Sequence, residues 1–106
     1  MTPAPLPIDK QILNIVSELS RSRTWLLRQD NALMKTSLER VFELTDSAAQ
    51  CAAESKQYNL SRELLRMREF LGGFYVGTET DGSALTAAIQ NLLDFTHQNH
   101  ELHLEL

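Results

Sequence analysis

Three histidines near the C-terminus, His97-x-x-His100-x-x-His103, are the first candidates for chemistry in this 106-residue chain. On a helix, positions i and i+3 are neighbours, and Glu101 follows His97 by four residues. A two-histidine, one-carboxylate metal site is therefore geometrically conceivable. Against it, the usual helical ligand pair is i,i+4, His103 rotates away from His97, and no second ligand cluster occurs elsewhere in the sequence. Histidines near a helix C-terminus also suit the helix dipole without any metal. No metal ligand and no cofactor are assigned. Cys51 sits among alanines with no His or Asp nearby, the pattern of an inert buried thiol. The stretch Gly77-Thr78-Glu79-Thr80-Asp81-Gly82 lacks the alternating ligands and closing Glu of a calcium loop, and the lysine of a phosphate loop. No nucleophile–base pair stands out, so no catalytic residue is assigned and an enzyme is not expected.

Two further groups of residues have the chemistry of binding. Arg62, Arg66 and Arg68, with Glu63 and Glu69, follow an alanine-rich segment, an order that suggests a helix-turn-helix DNA-binding module. The connection lacks the expected glycine, and mixed charges of this spacing also support an ordinary exposed helix. The stretch Phe70-Leu71-Gly72-Gly73-Phe74-Tyr75-Val76 places three aromatics together. Aromatic side chains dominate protein interfaces because they bury much area with few rotatable bonds. Phe70, Phe74, Tyr75 and Val76 are expected to bind a partner protein, the competing role being closure of the core. Trp25 joins them, because Trp25-Leu26-Leu27 spans too much of a helix for one narrow seam.

These groups need helices to position them. The prolines at positions 3, 5 and 7 make residues 1–6 a flexible lead-in, and Pro7 suits the first turn of a helix. Ile8, Ile12, Ile15 and Leu19 then form one apolar stripe. Ser22 or Thr24 can cap a second helix, and one long bent helix is the alternative. From Trp25 to Lys56 there is neither Gly nor Pro. Leu27, Met34, Leu38, Val41, Ala48 and Ala52 keep a heptad-like phase there, with Asn31 and Thr45 filling two of its places. A helix of that length extends ~45–50 Å, which predicts a second chain packed along it. Leu27, Met34, Leu38 and Val41 are the expected seam of a homodimer. Asn59 is the expected N-cap of a helix carrying Leu60, Leu64, Met67 and Leu71, which Gly72-Gly73 should stop. Asp81 or Ser83 should cap the last helix, with its stripe Leu85, Ile89, Leu92 and Phe95. The fold expected is all-α, one domain, a small bundle of three to four helices around one long central helix.

The charge balance narrows the partners. From Gly77 onward there are five acids and no Lys or Arg, which disfavours nucleic acid there because phosphate contacts need cations. A lone cysteine, the absence of a signal-like leader and the lack of an apolar run of ~20 residues predict a cytoplasmic protein with no membrane partner. In length, acidic character and helical layout, including Trp25-Leu26-Leu27-Arg28 and Arg66-Met67-Arg68-Glu69-Phe70, the chain resembles the QslA-type quorum-sensing antiactivators. That resemblance implies a regulatory protein that binds a LuxR-type transcription activator and blocks its dimerisation. It carries no contact residue over to this chain.

Overall fold

Two short breaks, each built on a non-glycine residue in the left-handed region, divide the first three-quarters of the chain. In the computed structural model, described for residues 6–104 in backbone and through residue 96 in side chains, four helices follow in order: α1 Ile8–Leu27, α2 Asn31–Glu54, α3 Tyr58–Val76 and α4 Gly82–Leu104. There is no strand among the described residues.

α1 begins behind Pro7, whose carbonyl accepts from the amides of Lys10 and Gln11 at 3.0 and 3.1 Å. It runs unbroken through Ser20–Thr24, so neither Ser22 nor Thr24 caps a second helix, and the alternative of a continuous helix holds as far as Leu27. Ser22 is buried and its Oγ donates to the Glu18 carbonyl at 3.0 Å, so its hydroxyl is satisfied inside the helix. The break comes later, at Gln29, with φ +60. Asp30 N donates to Trp25 O and Gln29 N to Leu26 O, the paired 6→1 and 5→2 bonds that end a helix on a left-handed residue. Asp30 then turns round to cap α2, its carboxylate accepting from Leu33 N at 3.0 Å. α2 ends the same way on Lys56, φ +64. The single long helix expected over Trp25–Lys56 is thus cut to 24 residues, about 36 Å, and its length no longer calls for a second chain.

α3 also departs from expectation. It starts at Tyr58 without a side-chain cap, and it runs through Gly72-Gly73 to Val76. Gly77, at φ +86, is the residue that stops it. Gly73 serves a different purpose. The following loop folds back against it, and a Cβ there would lie 3.4 Å from Glu79 Cβ and Thr78 Oγ1. At the start of α4 Asp81 is the cap: its carboxylate accepts from Ser83 N at 3.0 Å and Ser83 Oγ at 2.7 Å. Those bonds hold the Asp81 carboxyl below its ordinary pKa.

The core lies along α1 and α2. Ile12, Ile15 and Leu19 face Met34, Leu38, Val41, Ala48 and Ala52, and α3 and α4 add Leu60, Leu64, Leu71, Phe74, Leu85, Ile89 and Leu92. Fully burying one such aliphatic side chain stabilises by about 1.5–3 kcal/mol. The alanines of α2 admit α3 closely enough for Ser61 Oγ to donate to the Ala49 carbonyl at 2.9 Å. Within this core Thr45 is 0% exposed, and its hydroxyl finds no partner among the described residues.

Neighbouring helices pair as α1 with α2, α2 with α3, and α1 with α4. A closed up-and-down bundle would add α3 with α4. That seam is open. The Cα atoms extend over 45 × 34 × 19 Å with a radius of gyration of 14.2 Å, against about 13 Å for a close-packed domain of this length.

Candidate functional site

The open seam is a groove of about 480 Å³. Its α3 wall is Leu60, Glu63, Leu64, Arg66, Met67 and Phe70; its α4 wall is Ala84, Ala87, Ala88, Asn91, Leu92 and Phe95. The helical period explains both walls. On α3, Leu60, Leu64, Leu71 and Phe74 point into the core, and the next positions round the cylinder, Glu63, Arg66 and Phe70, overhang the gap. On α4, Leu85, Ile89 and Leu92 are buried, while the small residues Ala84, Ala87 and Ala88 beside them leave the space unfilled. Glu63 and Arg66 pair with each other at 3.0 Å, with both side chains largely in solvent. The groove floor is therefore apolar and its polar groups stand on the rim.

The segment Phe70–Val76, expected to act as one binding unit, is divided by the fold. Phe74 is 1% exposed and is a core residue, a correction to its expected role. One helical turn earlier, Phe70 is 46% exposed at the groove, its ring edge-on to Phe74 at 5.8 Å. Tyr75 is committed within the chain. Its hydroxyl donates to Glu39 Oε1 at 2.8 Å, its ring meets Phe42 edge-on at 5.9 Å, and Lys35 Nζ lies 5.5 Å from its centre. The hydrogen bond to Glu39, reinforced by that carboxylate's charge, raises the phenol above its ordinary pKa. Val76 is exposed at the far end of α3. Trp25 packs half-buried against the core under the Arg28 guanidinium, 5.6 Å from its ring centre, and does not reach the groove.

The expected homodimer seam is also redistributed. Met34, Leu38 and Val41 are buried within the chain, because α1 and α3 cover that face of α2. Only Leu27, 72% exposed at the end of α1, remains outside. The arginines of the helix-turn-helix reading are partly spoken for: Arg66 by Glu63, and Arg68 by Asp46 at 2.6 Å with its guanidinium 5.0 Å from the Phe42 ring. Cys51 is a free, half-buried thiol beside a shallow dent lined by Leu44 and Ser47. The side chains of His97, His100 and His103 lie outside the described residues. Among those described, no cluster of three His, Cys, Asp or Glu could hold a metal, and no helix is long and apolar enough to cross a membrane.

The α4 wall of the groove was missed by sequence reasoning. Its trace is Ala84-x-x-Ala87-Ala88-x-x-Asn91, a helical face of small residues next to the apolar stripe. Comparison of the chain with family models, with curated proteins and with solved structures finds no match.

Proposed function

We propose that this protein is a non-catalytic regulator that captures another protein in the open seam between α3 and α4. The observation that carries this reading is an apolar groove walled by two helices in a bundle whose other three seams are packed. An exposed apolar groove with a polar rim has the anatomy of a protein-binding surface. The resemblance to QslA-type antiactivators supplies the finer proposal. The partner is a LuxR-type transcription activator, held so that it cannot dimerise.

Affinity capture from the native cell tests this when the wild type is run beside Ala87→Trp. Ala87 is exposed in the groove, so the indole fills the space without entering the core. A protein retained by the wild type and lost with the variant supports the reading, whereas equal retention refutes it. If the captured protein is a LuxR-type activator, sedimentation should find its dimer replaced by a mixed complex. A dimer that persists under excess regulator removes the antiactivator assignment.

A further inference from the structure

We propose that the occupant of the α3/α4 groove is a single amphipathic helix of a partner protein, carrying Lys or Arg along the flank that faces α4. This rests on the groove being a protein-binding site and adds what the site selects. The first argument is shape. The walls run from Leu60 to Phe70 on one side and from Ala84 to Phe95 on the other, a rise of about 15 Å each, or three turns. A helix laid between them would give α3 and α4 each a second neighbour, as α1 and α2 already have. Small residues on one wall let a helix backbone approach, while Met67 and Phe70 on the other offer flexible and aromatic contact.

The distribution of polar groups separates a helix from a small ligand. Ligand pockets set a few buried polar groups to orient their contents. Here the charged lining residues, Glu63 and Arg66, satisfy each other at the solvent edge. What remains suits an apolar ridge with a solvated back, which is how amphipathic helices dock.

Charge decides the flank. Arg68 is the last Lys or Arg in the chain. The Glu63–Arg66 pair leaves the α3 rim balanced. On α4, Asp94 follows Ala87 by seven residues and so stands on the same rim, where its carboxylate accepts from Gln90 Nε2 at 2.8 Å. No cation on this chain faces it among the described salt bridges. A basic flank on the occupant would complete that rim, and an acidic flank would be repelled.

The experiment uses two fluorescent peptides of ~15 residues, about 22 Å as helix. Both carry four leucines at 4-3-4 spacing; one bears lysines on the flank and the other glutamates at the same positions. Anisotropy titrations with the full chain should favour the lysine peptide by about tenfold or more at low salt, with the preference shrinking as salt rises. Asp94→Asn should reduce the preference, and Ala87→Trp should abolish binding of both peptides. Equal affinity for the two peptides, lost in Ala87→Trp, overturns the basic flank and leaves the groove reading intact. Binding undiminished by Ala87→Trp overturns the groove itself. A dimer in sedimentation that Ala87→Trp dissolves makes the occupant a second copy and overturns the partner-helix proposal, as does failure of both peptides at millimolar concentration.

Discussion

Replacing Thr45 by valine should stabilise this protein. The residue is 0% exposed in the middle of α2, and its Oγ1 has no hydrogen-bond partner among the described residues. In the unfolded chain that hydroxyl bonds to water, and burying it unpaired costs about 1–3 kcal/mol. Valine puts a methyl where the hydroxyl stands and has a similar helix propensity, so it removes the cost with little change of shape. The expected gain is about 1–2 kcal/mol. For a domain near this size, each kcal/mol moves the thermal midpoint by roughly 4–8 °C. Urea unfolding followed by circular dichroism at the helical band measures the difference directly, provided the slope is unchanged. Thr45→Ser is the control. It keeps the unpaired hydroxyl, loses a buried methyl, and should be about 1 kcal/mol less stable than the wild type. If Thr45→Val is less stable than the wild type, the hydroxyl is satisfied in solution, and the description of the core at this point is wrong.

Other substitutions test separate parts of the fold. Phe74→Ala should cost about 3–5 kcal/mol, and Phe70→Ala no more than about 1.5 kcal/mol, mostly its edge contact; equal losses in chemical denaturation would contradict their different burial. Lys56→Gly should gain about 0.5–1 kcal/mol, because a left-handed residue after α2 is strained for lysine and free for glycine. A lower midpoint for that variant would argue against the αL cap. Tyr75 should ionise above an ordinary phenol in an ultraviolet titration, and Glu39→Gln should bring it down. Because the folded protein holds that proton more tightly than the unfolded chain, the contribution to stability is whole below about pH 10 and is lost as pH rises through the folded value.

Periodicity made the phase of α2 legible. Met34, Leu38, Val41, Thr45, Ala48 and Ala52 are all buried, as are Leu60, Leu64 and Leu71 on α3 and Leu85, Ile89 and Leu92 on α4, while Met67 and Phe95 of the same stripes turn to the groove. What covers a stripe is not written in its period, so a face taken for a dimer seam turned out to be the contact with α1 and α3. The helix ends were legible only in part: Asp81 was read as the cap of α4, whereas the stop of α3 was placed at Gly72-Gly73, because a glycine pair inside a helix looks in sequence like the Gly77 that ends it. They were hidden where Gln29 and Lys56 accept a left-handed backbone, since nothing in those residue types advertises it. Asp30 was the available clue: a polar Arg28-Gln29-Asp30-Asn31 run ahead of an apolar stripe is a capping signal. Phe70 and Phe74 lie one turn apart, and only the position of α2 decides that one is core and the other groove. The groove itself is a missing contact between helices, and a missing contact has no pattern in one sequence.

The open seam also orders the assembly of the molecule in time. α1 with α2 and α2 with α3 join neighbours across short breaks, so the first three helices can form by local contacts alone. α4 is fastened differently. Its partner is α1, and the Arg23 guanidinium donates to Thr86 Oγ1 at 3.4 Å across 63 positions of chain. Closing so large a loop carries an entropic cost that the local pairings avoid, and non-local contacts form late. α4 is therefore expected to dock last on the first three helices and to open first. Amide hydrogen exchange in the native state would read this as a C-terminal helix that opens with less free energy than the other three.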